Sequence, residues 1–139
     1  MKNQVRSYVL TLGISALLGS ALLAGDYNIE KARIPFGFHL NETALPAGDY
    51  VVKEIGALGT LQIRDEQTGK SIMVMTQSQT TGKNDAPRLV FHRIGDQYFL
   101  SQVWMWGSGG LNLHKGKLER EMEGGGKEVA LAYVRLDRP

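Results

Sequence analysis

Three histidines, His39, His92 and His114, are the side chains of this sequence best suited to acid–base chemistry or metal binding. A catalytic zinc site takes three protein ligands, and a closely spaced pair of them commonly presets the geometry. No two of these histidines stand two residues apart, as on one strand face, or four apart, as on one helix face. The spacing therefore predicts no metal site, unless distant elements bring the histidines together.

Nucleophilic catalysis has no clear sequence signature. The chain contains no cysteine, and no G-x-S-x-G motif marks a serine nucleophile. Most acidic residues lie in predicted turns or on a predicted helix, where contact with solvent explains them. One enzymatic alternative stays open, a hydrolase of an envelope or extracellular polymer that uses His92 with an acid such as Asp96 or Glu119. The residues by themselves favour a protein that is not an enzyme.

Nucleotides and nucleic acids are not expected as cofactors or partners. The segment "TGKS" at residues 68–71 has Arg64 where a phosphate-binding loop needs its first glycine, and "GLNLHKGK" is one residue too long. Without Lys2 and Arg6, which lie in a predicted targeting segment, fourteen of the sixteen basic residues remain, equal to the fourteen acidic residues. A formally neutral chain without a basic stripe is not typical of nucleic-acid binding.

The stretch "RLVFHRIGDQYFLSQVWMW", residues 88–106, is rich in aromatic residues. Two apolar runs flank Gly95 and Asp96, which predicts a β-hairpin with a two-residue turn. This turn sets the expected cross-strand pairs: Arg93 with Tyr98, His92 with Phe99, Phe91 with Leu100, Val90 with Ser101, and Leu89 with Gln102. Aromatic cross-strand pairs stabilise sheets, so a role in the core explains most of these residues.

A ligand-binding role for part of this hairpin is the alternative. Trp104 and Trp106 are predicted to share a strand face at the hairpin's end, beside the glycines of "GSGG". Two indole rings at such a position suit a platform for a small apolar ligand or a polymer. The candidate ligand-binding residues are Trp104, Trp106, His92, Tyr98 and Phe91.

Alternating apolar and polar residues between turn segments predict a mainly β protein. In "IPFGFHL", one strand face is expected to hold Ile34, Phe36, Phe38 and Leu40, with His39 facing solvent. Residues 41–49 are predicted as a turn. Leu118 and Met122 are four residues apart, a spacing that predicts a short helix, and the glycines after residue 123 are expected to end it. These two side chains are expected to cover the hairpin. The fold class is a single small antiparallel β-barrel or β-sandwich of about seven or eight strands, with one short helix in the C-terminal half.

The first 24 residues predict export. "MKNQVR" is short and cationic, and the next eighteen residues carry no charge and end in small side chains. This pattern is typical of a secretory signal peptide, with cleavage near Ala21 or Ala24, and residues 25–139 then form the single β domain. A retained membrane anchor is the alternative, although a span needs about 20 apolar residues. Without cysteine, neither disulfides nor a lipid anchor is expected.

Four motifs occur in a fixed order: "PFGF", "LPAGDY", "VFHRIGDQYFL" and the acidic–basic helix "EREM". Over nearly all of the chain after the signal segment, the sequence resembles a family of small exported proteins common in acidobacteria and related soil bacteria. The resemblance implies export and a shared β fold, and it assigns no catalytic residue.

Together these observations predict an exported, non-enzymatic β protein with a structural or binding role in the periplasm or outside the cell. A carrier of a small molecule or lipid, with a cavity lined by the aromatic residues, is one alternative, and the polymer hydrolase is the other. The terminal strands could also mediate self-association through their edges.

Overall fold

The structure is a computed structural model that describes residues 28–56, 59–82, 86–107 and 109–139. This part of the chain contains ten strands and one helix. The strands are β1 (Ile29–Ile34), β2 (Phe38–Leu40), β3 (Thr43–Leu45), β4 (Gly48–Ile55), β5 (Thr60–Asp65), β6 (Ser71–Thr80), β7 (Arg88–Ile94), β8 (Gln97–Trp104), β9 (Gly110–Leu113) and β10 (Val129–Arg135), and the helix is α1 (Lys117–Gly124). No helix within these ranges is long and apolar enough to cross a membrane. The predicted signal segment, with its cleavage points at Ala21 and Ala24, lies outside the described residues.

The strands form one largely antiparallel open sheet. Its order is β1-β4-β5-β6-β9-β8-β2-β3, with β7 paired to β8 and β10 paired to β7. The pairing of β2 with β8 is parallel and joins His39 to Phe99. The two ends of the sheet approach each other. The backbones of Lys31 and Asp137 exchange two hydrogen bonds there, of 2.7 and 2.9 Å. We call this single bridge between the β1 side and the β10 side the seam.

Aromatic rings occupy the centre of the apolar core. Phe91 is fully buried, with Phe36 and Phe38 packed edge to face against it at ring-centre distances of 5.0 and 5.5 Å. Phe38 also packs edge to face on Tyr50. These rings therefore pack against one another at the centre of the core.

Tyr50 brings one polar atom into this core. Its hydroxyl donates a 2.5 Å hydrogen bond to the carbonyl of Pro46, four residues earlier. Burial, and secondarily the nearby charge of Asp65, raises the pKa of Tyr50 to about 12. The neutral phenol is therefore the form that the fold stabilises.

A second layer covers the other face of the β7–β8 hairpin. Val90 and Phe99 are buried there, on the face opposite to Phe91, and α1 packs on β7. The sequence correctly predicts the helix, which glycines end: Gly125 donates back to the carbonyls of Glu121 and Met122. Of the two side chains expected to cover the hairpin, Met122 is half-buried, with its Cε 4.0 Å from where a Cβ of Gly95 would lie at the hairpin turn, but Leu118 does not cover it. Leu118 is 41% exposed, whereas Glu119 is buried.

The sequence analysis is correct on the mainly β class and the single helix, but its strand count is too low. The predicted strand through residues 34–40 is interrupted between β1 and β2, where Pro35 has no N–H to donate. The segment 41–49, predicted as a turn, contains β3 and the start of β4. Strands β3 and β9 have only three and four residues, too few for a period of two to stand out.

Candidate functional site

A serine, a histidine and a glutamate form a hydrogen-bonded chain between the hairpin and the helix. His92, on β7, has its Nδ1 atom 2.8 Å from Oε1 of Glu119 on α1. The other ring nitrogen, Nε2, lies 3.2 Å from Oγ of Ser101 on β8. The carboxylate fixes the proton on Nδ1, which leaves Nε2 free to accept a proton from the serine hydroxyl. The sequence analysis named His92 and Glu119 as one possible pair, and the structure brings them together.

A β-bulge places Ser101 beside His92. Around the turn the pairs are as expected, with His92 opposite Phe99 and Phe91 opposite Leu100. The next residue, Val90, pairs with Gln102, so Ser101 has no partner of its own on β7. The expected pairs of Val90 with Ser101 and of Leu89 with Gln102 are therefore wrong. A bulge re-aims a side chain locally, and bulges are over-represented next to active sites.

Two contacts from the β2–β3 hairpin fix the start of the helix that carries Glu119. Gly116 precedes the helix and provides no side-chain cap. Instead, Oε1 of Glu42 accepts a 2.8 Å hydrogen bond from the backbone N–H of Lys117. Gly116 itself is buried, and a Cβ atom there would lie 2.6 Å from the carbonyl oxygen of Asn41. The absence of a side chain at residue 116 thus allows the helix to approach the sheet closely.

The same residues could offer ligands to a metal ion. His92, Glu119 and Glu123 each present one ligand atom, and these atoms lie within 4.8 Å of one another. The sequence analysis expected no metal because it considered histidine pairs alone. Both carboxylate oxygens of Glu123, however, already accept 2.9 Å hydrogen bonds from Nζ of Lys115. The lysine compensates the charge that a cation would otherwise neutralise, and the cluster is satisfied as a hydrogen-bonded network.

A polar cleft of about 500 Å³ opens next to this network. Its lining consists of Gln77, Ser78, Ser101, Asn112, Leu113, His114, Lys115 and Arg120. We call it the Ser101 cleft. Three of these side chains are basic types and none is acidic. Arg120 is exposed and forms no ion pair with any other residue that the structure describes. His114 counts as neutral in the formal charge and Lys115 is paired with Glu123, so the positive charge of the cleft comes mainly from Arg120.

The wall of the Ser101 cleft is held in place by amide groups. Nδ2 of Asn112 donates to Oγ of Ser78 at 3.1 Å and to Oγ1 of Thr80 at 2.9 Å, and its Oδ1 accepts from Gln102 at 2.7 Å. These bonds join β6, β8 and β9. The cleft is therefore built on strands that hydrogen bonds fix, which favours a preformed binding site.

A second cleft, of about 380 Å³, lies at the seam and has a different charge balance. Its lining includes Lys31, Arg33, Asp49 and Glu66. Nζ of Lys31 lies 2.9 Å from Glu66, and Nε of Arg33 lies 3.1 Å from Asp49. Asp137, also in the lining, pairs with Arg135, and Arg138 lies over the ring of Trp106. Most charges of this cleft are therefore paired within the protein, whereas Arg138 forms no ion pair among the described residues.

The five ligand-binding residues expected from the sequence do not line the Ser101 cleft. Phe91 lies in the core, and Tyr98 stacks on Phe36 at 3.8 Å. The indole of Trp104 packs over Gly110, where a Cβ atom would lie 2.4 Å from the ring, and donates to Gln102. His92 is the one member of the set that belongs to the hydrogen-bonded network described here. His39, expected to face solvent, is half-buried, stacks on Phe99 and bonds Gln97 at 2.7 Å.

Trp106 lies in a separate environment, beside a buried carboxyl group. Its ring is 56% exposed, and the guanidinium of Arg138 lies 4.7 Å above the ring centre. Its backbone N–H donates to Oε1 of Glu30, while Oε2 of Glu30 is buried without a hydrogen-bond partner among the described residues. Burial raises the pKa of Glu30, opposed by the Trp106 hydrogen bond and the charge of Arg138. The two tryptophans therefore have different neighbours, Gly110 and Gln102 for Trp104 and Glu30 and Arg138 for Trp106.

Sequence reasoning missed the residues that line the cleft, above all Ser101, Lys115 and Arg120. A signal for Ser101 does exist in "FLSQVW", where two apolar residues, two polar residues and two apolar residues replace strict alternation. Such a break in the period of two is how a bulge appears in a sequence. No local pattern could have brought Lys115 and Arg120 to the same cleft, because helix packing places them.

No protein-family model, curated protein or solved structure matches this chain. The geometry of the described residues therefore carries the functional proposal.

Proposed function

We propose that the protein is an exported β protein that binds a small anionic molecule, or an anionic group of an envelope polymer, in the Ser101 cleft. The observation that carries this proposal is the charge of the lining, which has three basic side chains and no carboxylate. Export to the periplasm or the medium is supported by the cationic and apolar pattern of the first 24 residues. The binding role agrees with the function expected from the sequence, at a different site.

Arg120 is the group best placed to recognise the ligand. A guanidinium binds carboxylate or phosphate through two parallel hydrogen bonds, and this one forms no ion pair within the described part of the chain. Lys115 adds positive charge, although Glu123 compensates part of it. The volume of about 500 Å³ falls in the range of small-molecule sites. A compact carboxylate or phosphate compound fits both the charge and the size.

Isothermal titration calorimetry with citrate and with inorganic phosphate tests this proposal. We expect saturable binding of at least one anion, and a loss of about tenfold or more in affinity for Arg120→Glu, since a charge-assisted bond contributes about 1.5–3 kcal/mol. Arg64→Glu is the matched control, because Arg64 is exposed on β5 and makes the same charge change away from the cleft. Absence of binding for both anions, or equal losses in the two variants, would overturn the proposal.

A further inference from the structure

We propose that Ser101 is a nucleophile, that His92 is its general base and that Glu119 is a positioning residue, so that the protein hydrolyses an ester bound in the Ser101 cleft. This inference departs from the non-enzymatic role expected from the sequence. The nucleophile is argued from geometry alone. The preference for an anionic ester rests on the proposed function, and the experiment below separates the two.

The three residues lie in the order that serine hydrolysis requires. Ser101 lines the cleft, where a substrate can reach its hydroxyl. The His92 side chain behind it is 20% exposed, and that of Glu119, behind the histidine, is 3% exposed. In serine–histidine–acid sites the buried acid holds the imidazole in one tautomer and stabilises the imidazolium that forms. The separations of 3.2 and 2.8 Å are within reach of proton transfer and tautomer control, respectively.

Neither strand pairing nor core packing explains why a serine stands at position 101. As the extra residue of the bulge, it contributes no cross-strand pair to the β7–β8 ladder. Its side chain neither fills the core nor joins the amide network of Asn112. The hydrogen bond recorded for its hydroxyl is the one with Nε2 of His92. The bulge thus places the Ser101 hydroxyl next to both His92 and the cleft, which is the position that a nucleophile needs.

Oγ of Ser101 attacks the ester carbonyl carbon and passes its proton to Nε2 of His92. The tetrahedral intermediate collapses, the carbon–oxygen bond of the leaving alcohol breaks, and His92 returns the proton to that oxygen. Water then attacks the acyl-serine with His92 again as base, which releases the acid and restores Ser101. The positive charge of Lys115 and Arg120 in the same cleft favours an anionic acyl group.

The first test is labelling of the whole protein with a neutral fluorophosphonate, followed by intact-mass and peptide mass spectrometry. We expect one adduct per chain, located at Ser101 and absent in Ser101→Ala. Ser71→Ala is the matched control, because Ser71 is an exposed serine on β6 that does not line the cleft, and it should label like the parent. For His92→Gln the labelling rate should fall by about 100-fold or more, the usual contribution of a general base.

The role of Glu119 needs a readout that loss of stability would not reproduce. In Glu119→Gln we expect the limiting labelling rate to fall while the half-saturating probe concentration stays unchanged, with circular dichroism matching the parent. A rise in the half-saturating concentration at unchanged limiting rate would contradict a positioning role. Labelling that EDTA abolishes would assign His92, Glu119 and Glu123 to a metal instead, and would overturn the general-base role.

The substrate preference is tested separately. Hydrolysis of 4-nitrophenyl acetate is compared with that of the mono-anionic 4-nitrophenyl hemisuccinate, and Arg120→Glu should reduce the rate with the hemisuccinate only. Selective labelling of Ser101 without this preference would support the nucleophile and contradict the anionic ligand. No adduct above the Ser101→Ala background, or equal labelling of Ser71 and Ser101, would overturn the nucleophile, whatever the calorimetry shows.

Discussion

Replacing His92 by alanine is expected to destabilise the fold mainly because it leaves the buried carboxylate of Glu119 without a hydrogen-bond partner. The Glu119 side chain is 3% exposed, and its recorded hydrogen bond comes from His92. Without that bond a buried carboxylate loses its partner, which costs about 3 kcal/mol. Glu119→Ala removes the charge and leaves Nδ1 of a partly exposed ring unpaired, which costs about 1–2 kcal/mol. In the double variant neither unpaired group remains, so we expect a total cost of about 2–3 kcal/mol and a coupling of about 2 kcal/mol.

Urea denaturation of the four proteins at pH 7.5 and one temperature measures this coupling. The exposed ion pair Lys117–Glu121, with 3.9 Å between charged atoms and both side chains more than half exposed, is the control pair. Its coupling should be at most about 0.5 kcal/mol, as for other pairs four residues apart on a helix. Additive effects for His92 and Glu119, within about 0.5 kcal/mol, would refute the buried contact and with it the proposed proton path.

Three further changes test other parts of the structure. Because burial raises the pKa of Tyr50 from 10.0 to about 12, the stability that the neutral phenol provides is full below pH 10 and is lost up to pH 12. At 1.36 kcal/mol per pKa unit this is about 3 kcal/mol, and Tyr50→Phe should lack the loss in urea titrations. The pKa of Glu30 is also raised from its usual 4.5, by burial, so ionisation weakens the fold as pH rises above that value. Glu30→Gln, which cannot ionise, should therefore gain stability relative to the parent as the pH rises above 4.5. Glu42→Ala removes the acceptor for the N–H of Lys117 and should cost about 1 kcal/mol in thermal unfolding.

Each of these has an internal control. Every other titratable group is common to the parent and Tyr50→Phe, so only the difference between their pH curves reports the phenol, and parallel curves would contradict it. A constant difference between Glu30→Gln and the parent across pH would show that the carboxyl group is not desolvated. For the helix start, Glu121→Ala is the comparison, since Glu121 is an exposed acid of the same helix, and equal losses would contradict the capping role.

The β7–β8 hairpin shows how far the sequence predicts this fold. Gly95 takes a φ of +62°, which the two-residue turn requires, and the three pairs nearest the turn that the sequence predicts are those observed. Local chemistry decides the turn, so local sequence predicts it. The register changes at the Ser101 bulge. This bulge depends on non-local pairing, because β8 pairs with β7 on one edge and with β2 and β9 on the other.

The helix shows why the site could be predicted only in part. Its existence follows from the spacing of Leu118 and Met122, but the face that it turns to the sheet depends on Glu42 and Gly116, which dock its first turn. Hydrophobic periodicity assigns the apolar side to the core, whereas the docking buries Glu119. The hydrogen bond with His92 offsets the free-energy cost of removing the Glu119 carboxylate from water. Helix-propensity scales do not include this stabilising contact between distant residues.

The seam has a consequence for how this sheet meets other sheets. Because one bridge joins its two ends, strands β1 and β10 have no continuous ladder between them in the described part of the chain. Incompletely paired strand edges are templates for strand addition by other chains. Here the bridge is surrounded by Lys31, Arg33 and Arg135, each within 3.3 Å of an acidic partner. A second chain adding a strand at this edge would have to strip water from these ion pairs, a desolvation cost that works against strand addition at the place where the sheet is least complete.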